Sequence, residues 1–387
     1  MNRRHNEVVI MRDTCPVCMG GGSAFLFKRD FSGMRSIVPF SRYNIVKCRT
    51  CGMIYAGDIA EALPLSEYYS LFSKYETKAY FETAYTREDS KDIIFFLKDY
   101  INIGDAMLDM GCGTGSLLYS FKLQGYRDLT GVDPSERNVN FIKSNLGISA
   151  HVGSLGDDYL DLGKKFKLIT LEGVLEHISC LDEAMNELCK YLLHDGYIFL
   201  EVPDICAWRN INDLYQQFSV EHLNYFTKQS LDIFMGRFGF SCVKYQLREN
   251  IFGSWSLWKK SKYCDTAKFS VDGDEALDIY LNNAKALVET LKGRLSLYKN
   301  RDVYIWGAGT HTAMLYQLNL LHDINVIAIV DSNKKYHGKN IFGVDIIAPQ
   351  TLGEIENLPI IISSQLAQES IRKQISDNYT NEVLTLY

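Results

Sequence analysis

The sequence predicts an α/β protein with a doubly wound, largely parallel sheet at its centre. Three observations indicate this central sheet and the further units on either side of it. Strand-like and helix-like segments alternate from residue 105 to about residue 203, two Cys-x-x-Cys pairs lie near the N-terminus, and a second strand, glycine turn, helix and strand begin at Val303. A chain of 387 residues is too long for one compact core. We therefore expect three domains, at residues 1–60, 61–245 and 246–387, the last with a helical connector and a second Rossmann-like unit.

Five short apolar runs are the predicted strands of the central sheet, and helical patterns separate them. In such sheets, ligands bind beyond the carboxyl ends of the strands. The strands are predicted at Met107–Met110, Leu129–Val132, Ala150–Gly153, Phe166–Leu171 and Tyr197–Val202, and their carboxyl ends hold Asp109, Asp133, Ser154, Glu172 and Pro203-Asp204.

The first strand leads into the glycine-rich loop Leu108-Asp109-Met110-Gly111-Cys112-Gly113-Thr114-Gly115, which opens a helical pattern. Glycines at every second position let the backbone approach a ligand with no Cβ in the way. A dinucleotide fingerprint requires glycine or alanine at position 116, where this chain has Ser116. An ordinary glycine turn is the alternative interpretation. Asp109 and Asp133, each at the carboxyl end of a predicted strand, favour a cofactor site instead.

This loop resembles motif I of the class I S-adenosylmethionine-dependent methyltransferases. The resemblance implies a doubly wound class I methyltransferase sheet, with Asp133 on the ribose hydroxyls of the cofactor. It implies a cofactor site made of Asp109, Gly111, Cys112, Gly113, Gly115, Asp133, Pro134, Ser154 and Glu172.

Two Cys-x-x-Cys pairs, Cys15 with Cys18 and Cys48 with Cys51, are separated by 29 residues. Each pair places two thiolates on one tight turn, and two pairs complete a tetrahedral zinc shell. Four thiolates leave no open coordination position. We therefore expect a structural zinc ion that is needed for folding rather than for turnover.

Composition and charge indicate in which cellular compartment the protein is expected and which kinds of partner it is expected to bind. No apolar run approaches the roughly 20 residues of a membrane span, and the N-terminus lacks a signal peptide, so we expect a cytoplasmic protein with reduced cysteines. The first 55 residues hold nine Lys and Arg against three Asp and Glu, whereas the whole chain has a net charge of −6. A basic module could meet a phosphate-bearing partner, but a solvated basic face is the simpler interpretation. We expect no nucleic acid, no membrane, and a monomer or homodimer.

A further group of polar residues lies in Phe218-Ser219-Val220-Glu221-His222-Leu223-Asn224-Tyr225-Phe226. A histidine beside a carboxylate can titrate near neutrality, which suits a general base. Adjacent residues cannot face the same way on a helix, so a turn is predicted here. A buried structural histidine is the alternative.

The order of these features resembles the nucleotide-sugar C-methyltransferases, with a zinc module, a class I methyltransferase core, the string Glu221-His222-Leu223-x-Tyr225-Phe226 and a second Rossmann-like domain. The resemblance covers nearly the whole chain. It implies a nucleotide-linked 4-keto deoxysugar as substrate and His222 with Glu221 as the catalytic pair. A base would remove the proton beside the ketone, and the carbanion would attack the sulfonium methyl.

One position departs from that family, which usually has a catalytic tyrosine two residues before the glutamate. This chain has Ser219 there. Tyr69 or Tyr75 from the aromatic segment that precedes the core could take its place, and we expect Tyr75 among the catalytic residues. Methylation of a sugar oxygen or of another carbon remains an alternative. A nucleic-acid methyltransferase with a basic zinc module, and a non-catalytic sensor of the cofactor or of a nucleotide sugar, are further alternatives.

Two other segments carry weaker signals. Glu176 and His177 belong to a Val-Leu-Glu-His-Ile string after the fourth strand, typical of small-molecule methyltransferases, and we expect them to pack the loop behind the site. The turn Gly307-Ala308-Gly309 could receive a phosphate at the start of a helix. Thr312 stands where a dinucleotide fingerprint needs its third glycine, so NAD binding is disfavoured and an empty scaffold is the alternative.

Overall fold

The computed structural model describes residues 9–63, 68, 85, 89–155, 160–261 and 272–387. Its strands form three sheets, one for each predicted unit. The expected α/β class, with a central class I sheet and a second Rossmann-like sheet, is confirmed. No helix in the described ranges is both long and apolar enough to cross a membrane.

The N-terminal sheet is antiparallel and has the order β1-β4-β3-β2. A fifth strand, β10 (Asn224–Tyr225), pairs with β4 although it lies more than 160 residues further along the chain. The inner face of the N-terminal sheet is buried, and Tyr43, Ile45 and Ile54 are at most 2% exposed. The strands are β1 (Val9–Ile10), β2 (Ser23–Asp30), β3 (Phe40–Cys48) and β4 (Ile54–Glu61).

The central sheet contains the predicted parallel strands and an antiparallel hairpin at one edge. Its parallel strands are β5 (Met107–Met110), β6 (Leu129–Asp133), β7 (Ser149–Val152), β8 (Phe166–Glu172) and β9 (Leu192–Pro203), and the hairpin is β11 (Phe240–Arg248) with β12 (Gly253–Lys260). The order is β7-β6-β5-β8-β9-β12-β11, and β12 is antiparallel to both of its neighbours. All four residues of β5 are buried, as expected for a parallel strand covered on both faces.

Helices cover both faces of this sheet, because each crossover between parallel strands must pass over one face. The helices are α1 (Asp89–Leu97), α2 (Ser116–Leu123), α3 (Glu136–Phe141, continued as a π-helix over Ile142–Leu146), α4 (Leu181–Tyr191) and α5 (Lys228–Arg237).

The domain boundary expected at residue 245 stays a prediction. It falls inside β11, and β12 pairs with β9 over seven residues, from Gly253 opposite Pro203 to Lys259 opposite Tyr197. The central sheet therefore extends to Lys260. A hairpin read along the sequence does not reveal which sheet it will join.

The C-terminal unit is a second sheet of Rossmann type, with the order β15-β16-β14-β13-β17-β18. Only β15 runs antiparallel to its neighbour among these strands. The predicted connector is a helix. The elements are α6 (Asp272–Leu295), β13 (Asp302–Trp306), α7 (Thr310–Gln317), β14 (Asn325–Val330), β15 (Asn340–Ile341), β16 (Val344–Ile347), β17 (Ile360–Ile362), α8 (Gln368–Asn378) and β18 (Val383–Thr385).

Aromatic side chains join the three units behind the segment that carries Glu221 and His222. Trp208, Phe218 and Tyr225 are fully buried and pack edge to face, and Tyr280 of α6 closes the group. The Tyr280 hydroxyl donates to Asp213 Oδ1 at 2.6 Å. This packing holds the segment between the central sheet and the C-terminal unit.

Candidate active site

The glycine-rich loop leaves β5 in a backbone conformation that other residues rarely adopt. Gly111 and Gly115 have φ angles of 77° and 78°. A Cβ on Gly111 would lie 2.7 Å from Val174 Cγ2, and one on Gly115 would lie 2.9 Å from Ile142 Cγ1. Both positions therefore require glycine, for backbone conformation and for space.

Asp133, the last residue of β6, is fixed at the mouth of this loop. The Gly113 amide donates to its Oδ2 at 2.8 Å. Its Oδ1 accepts from the Ser135 amide at 2.9 Å and from Asn138 Nδ2 at 3.0 Å. These donors stabilise the ionised carboxylate and hold it in one orientation. The structure thus brings the two predicted parts of the cofactor site, the glycine loop and Asp133, into direct contact.

The other predicted cofactor residues occupy the same edge of the sheet in different ways. Asp109 is 3% exposed and accepts from Thr170 Oγ1 at 2.7 Å, which ties β5 to β8. The Cys112 side chain packs on β6, where a Cβ on Gly131 would lie 2.7 Å from its sulfur. Burial raises the pKa of Cys112 well above its usual value, so this residue offers its backbone rather than a thiolate. Pro134, Ser154 and Glu172 lie at or just past the ends of β6, β7 and β8.

Glu221 and His222 lie in a turn and not in a helix, as the sequence predicts. The hydroxyl of Tyr68 donates to Glu221 Oε1 at 2.6 Å. The ring of His177 lies edge to face against His222, with centroids 4.9 Å apart. Sequence reasoning missed Tyr68, although it belongs to the aromatic segment from which a tyrosine was expected. Tyr69 and Tyr75 lie outside the described residues.

A short chain of contacts connects this turn to the glycine loop. Val174, which lies against Gly111, begins the segment after β8, and that segment continues into the 3₁₀ turn Leu175–His177. His177 Nδ1 lies 3.0 Å from the carbonyl oxygen of Glu221, and the Leu223 amide donates to the carbonyl of Glu176 at 2.7 Å. Glu221 and His222 therefore lie beyond the carboxyl end of β8, on the side of the sheet where the glycine loop opens.

Glu176 is a buried acid of this loop. It is 3% exposed, and burial raises the pKa of its carboxyl group to about 8, with a smaller contribution from Glu201. A carboxylate oxygen of Glu176, a ring nitrogen of His177 and a ring nitrogen of His222 all lie within 4.8 Å of one another. Burial thus shifts this carboxyl group towards its neutral form, and the group lies close to the histidine predicted as the base.

The N-terminal sheet holds the turn that contains Glu221 and His222, which the sequence did not indicate. Arg12 donates from Nη1 to the carbonyls of Ala56 and Leu223, at 3.1 Å each, and from Nη2 to Asn224 Oδ1 at 2.8 Å. The Ala56 amide donates to the Leu223 carbonyl at 2.8 Å. The residues next to His222 are therefore bound to the N-terminal sheet through backbone pairing and a guanidinium group.

Two buried tyrosine hydroxyls donate to backbone carbonyls in the turn that contains Glu221 and His222. Tyr225 donates to the carbonyl of His222 at 2.7 Å, and Tyr43 of β3 donates to the carbonyl of Ser219. Ser219 thus contributes its carbonyl to this hydrogen bond, and its hydroxyl accepts from the Glu221 amide at 3.3 Å.

The four predicted zinc ligands converge at the end of this same sheet. The sulfur atoms of Cys15 and Cys51 lie 3.6 Å apart, as do those of Cys18 and Cys48. All four sulfurs lie within 4.8 Å of one another. Four thiolates at about 2.3 Å from a zinc ion would be about 3.8 Å apart, so the cluster has the size that a tetrahedral zinc shell needs. The amide of Gly20 donates to Cys18 Sγ at 3.4 Å, and a matching bond supports Cys48.

The C-terminal unit repeats the geometry found at Asp133. Asp331 follows β14, its Oδ2 accepts from the Ala308 amide at 2.8 Å, and its Oδ1 accepts from the Asn333 amide at 2.7 Å. The start of α7 is occupied by protein contacts, because Thr310 Oγ1 donates to Gln216 Oε1 at 3.2 Å. His311 is buried against Ser363 and Tyr387.

Comparison with known proteins identifies the central unit. Residues 83–245 match a family model described as a methyltransferase domain. The matched residues contain the five parallel strands of the central sheet. The predicted methyltransferase is confirmed for this part of the chain. A second family model, described as C2185-like, N-terminal, matches residues 299–383, which include most of the C-terminal sheet.

Curated relatives resemble this domain over part of its length. A tRNA U34 carboxymethyltransferase of Campylobacter hominis is 33% identical over 110 residues, covering 27% of this chain and 39% of the relative. A ribosomal protein L11 methyltransferase of Thermotoga petrophila is 40% identical over 53 residues, covering 14% of this chain and 20% of the relative. The chain therefore spans well under half the length of these relatives.

Two solved structures are also similar to part of the chain. The magnesium protoporphyrin IX methyltransferase of Synechocystis PCC 6803, solved with bound S-adenosylmethionine, has 17% identity and a TM-score of 0.35, covering 46% of this chain and 80% of that chain. The PH0226 protein of Pyrococcus horikoshii OT3 has 17% identity and a TM-score of 0.39, covering 50% of this chain and 99% of that chain.

Proposed function

We propose that the protein transfers a methyl group from S-adenosylmethionine to a carbon atom beside the ketone of a nucleotide-linked 4-keto deoxysugar. The observation that carries the proposal is the group formed by Tyr68, Glu221 and His222, next to the loop of a methyltransferase domain. A neutral amine nitrogen is already nucleophilic and needs only positioning. A carbon acid needs a base, for which His222 is the candidate, and the hydrogen bond between Tyr68 and Glu221 lies at the neighbouring residue.

The cofactor residues fit a nucleoside with an attached amino acid. The glycines at 111, 113 and 115 have no Cβ atoms, and the Asp133 carboxylate beside them would accept hydrogen bonds from ribose hydroxyls. When bound there, S-adenosylmethionine supplies an electrophilic methyl group. Pro134, Ser154 and Glu172 would border the adenosine along the ends of the neighbouring strands.

The chain's own residues carry out the acid–base chemistry. His222 would take the proton from the carbon beside the ketone as that C–H bond breaks, and the electron pair would pass to the carbonyl oxygen. The same carbon would then form the new C–C bond to the methyl group, while the sulfonium C–S bond breaks and its electron pair stays on the sulfur of the departing thioether. Glu221 stabilises the imidazolium that results. Tyr68 orients Glu221 through its 2.6 Å hydrogen bond and takes the place of the family tyrosine absent at Ser219. Phe218, Tyr225 and Phe226 are fully buried and limit the access of water from behind.

We further propose that Cys15, Cys18, Cys48 and Cys51 bind one structural zinc ion. The support is the size of the sulfur cluster and the backbone amides that donate to two of its sulfurs. Because β10 follows the catalytic pair and pairs with β4, the metal would maintain the position of His222 as well as the fold of the module.

Other acceptors stay as alternatives. A sugar oxygen would need the same scaffold and base. A nucleic acid is supported by the tRNA that the Campylobacter relative is named for, and by the basic N-terminal module. The balance of the chain is acidic, which disfavours a long polyanion.

The test compares wild-type protein with His222→Asn, supplied with S-adenosylmethionine and a 4-keto nucleotide sugar. We expect the variant to lose turnover by at least about a hundredfold, with unchanged cofactor affinity by calorimetry. The product's NMR spectrum distinguishes a C-methyl from an O-methyl group. Near-normal turnover in the variant would show that another group takes the proton. Methylation of tRNA, with no activity on nucleotide sugars, would reject the proposed substrate.

A further inference from the structure

Asn224 lies two residues after His222 and occupies the open position of the string Glu221-His222-Leu223-x-Tyr225-Phe226. It belongs to β10, pairs with Tyr55 of β4 and is fully buried. A buried amide group needs hydrogen-bond partners within the protein, because folding removes those that water provides. The partners of this side chain therefore show which segments it connects.

The side-chain amide of Asn224 binds both ends of the 3₁₀ turn Leu175–His177. Its Nδ2 donates to the carbonyl of Leu175 at 2.8 Å and to the carbonyl of Ile178, the residue after the turn, at 2.7 Å. A carbonyl oxygen can only accept, and Nδ2 carries two hydrogen atoms, so both of its N–H groups are used. The turn after β8 is thus held to β10 by one side chain.

The oxygen of the same amide faces a cation. Arg12 Nη2 donates to Asn224 Oδ1 at 2.8 Å, and a guanidinium group can only donate. The orientation of the amide is therefore fixed from both sides. Burial lowers the pKa of Arg12 to about 10, which leaves the guanidinium group charged at neutral pH. One amide group thus connects the N-terminal sheet, the strand that follows His222, and the segment after β8.

The segment after β8 also contacts the glycine-rich loop. It begins at Val174, and a Cβ on Gly111 would lie 2.7 Å from Val174 Cγ2. A continuous path therefore leads from Gly111 through Val174 and the 3₁₀ turn to Asn224. Because a displacement of about 1 Å between reacting groups can cost about a hundredfold in rate, this path spans a distance on which methyl transfer depends.

We propose that Asn224 is a positioning residue, which holds His222 at a set distance from a methyl donor bound at the glycine-rich loop. It acts through His222 and needs no contact with the substrate. Its effect on catalysis rests on the proposed function, whereas the connection between the loop and the turn does not. Without the two bonds to Leu175 and Ile178, His222 would still take the proton, but the carbanion would meet the sulfonium methyl less often and would be reprotonated.

Asn224→Asp is the most direct test. It keeps an oxygen towards Arg12 and replaces the two N–H donors by an acceptor that faces two carbonyl oxygens. The full-length protein is supplied with S-adenosylmethionine and a 4-keto nucleotide sugar in deuterium oxide. Deuterium uptake at the carbon beside the ketone measures proton abstraction, and the C-methyl product measures methyl transfer, both by NMR.

We expect methyl transfer by Asn224→Asp to fall by about tenfold to a hundredfold, and the ratio of deuterium uptake to methyl transfer to rise by at least about tenfold. The affinity for S-adenosylmethionine should stay unchanged in calorimetry. A variant that merely contained less folded enzyme would lower both rates equally and would leave the ratio unchanged.

Asn283→Asp is the matched control. Asn283 of α6 also donates from Nδ2 to two backbone carbonyls, those of Arg209 and Ile211, at 3.3 and 3.4 Å. The same replacement there should leave the ratio of the two rates unchanged. Circular dichroism verifies the fold of each variant, and Asn224→Ala provides the test if Asn224→Asp does not fold.

A second measurement needs no sugar substrate. S-adenosylmethionine should slow amide hydrogen exchange in the wild-type peptide that covers residues 219–226, because the path from Gly111 ends there. Asn224→Asp should lose this effect and keep the protection of the glycine-rich loop. The proposal is overturned if the folded variant has the wild-type ratio, or if the cofactor protects its residues 219–226 as in the wild type. Loss of that protection, in a protein that neither deuterates nor methylates nucleotide sugars, would support the positioning role and reject the proposed function.

Discussion

Replacement of Tyr68 by phenylalanine removes one hydroxyl group and keeps the ring. That hydroxyl donates to Glu221 Oε1 at 2.6 Å, and Tyr68 is 9% exposed, so water cannot easily take its place. A hydrogen bond to a charged group contributes about 1.5–3 kcal/mol. If Glu221 orients and stabilises His222 during proton transfer, most of this energy is lost from the transition state. We therefore expect kcat to fall by about tenfold to a hundredfold, with little change in KM for S-adenosylmethionine.

The chain offers a matched control for this experiment. Tyr298 also donates to a glutamate oxygen at 2.6 Å, that of Glu382, and it is 5% exposed. It lies in the C-terminal unit and takes no part in the proposed chemistry. Tyr298→Phe should cost stability and leave kcat unchanged. The reasoning is refuted if Tyr68→Phe retains the wild-type kcat, or if both variants lose activity equally. The assay measures methyl transfer to a 4-keto nucleotide sugar alongside the thermal unfolding midpoint.

Three further predictions concern the cofactor, the cysteine cluster and pH. Asp133→Ala should weaken S-adenosylmethionine binding by about 1.5–3 kcal/mol in calorimetry, because it removes a charged acceptor; unchanged affinity would contradict the cofactor site. Cys48→Ser should lower both the unfolding midpoint and kcat, and zinc should be lost by metal analysis; normal stability with full zinc content would argue against the cluster. Burial lowers the pKa of His311 to about 4, below its unfolded value near 6.5, so its neutral form stabilises the native state. This contribution to the free energy of unfolding is present above pH 6.5 and is lost as the pH falls towards 4, by about 3 kcal/mol in total. Urea unfolding of the wild type and of His311→Gln at pH 6.5 and at pH 4 measures the loss. Equal pH dependence in the two proteins would count against this prediction.

Local patterns predicted the elements of the central sheet well. The strand at residues 107–110 has the bounds that the sequence indicates, and the turn at Glu221 was expected because adjacent residues diverge on a helix. The contact between Gly113 and Asp133 also follows from the order of neighbouring parallel strands. These features depend on a few consecutive residues or on adjacent strands, so the sequence contains enough information to place them.

Long-range pairing was not predictable in the same way. The hairpin of β11 and β12 was expected, but its pairing with β9 depends on burial that only the folded sheet defines. The aromatic segment contains several tyrosines at similar spacing, and nothing local distinguishes Tyr68 from Tyr69 or Tyr75. Arg12 reads as one of several basic residues, whereas the fold uses it to bind the backbone next to His222.

The pairing of β10 with β4 has a consequence for protein engineering. The strand that follows the acid–base pair belongs by sequence to the methyltransferase domain and by hydrogen bonding to the cysteine-rich sheet. A chimera that combines the N-terminal module of one homologue with the core of another would therefore have its junction next to Glu221 and His222. A chimera that keeps its turnover must take residues 9–63 and the turn at 219–226 from the same homologue. We expect its substrate specificity to be that of the homologue which supplies these two segments.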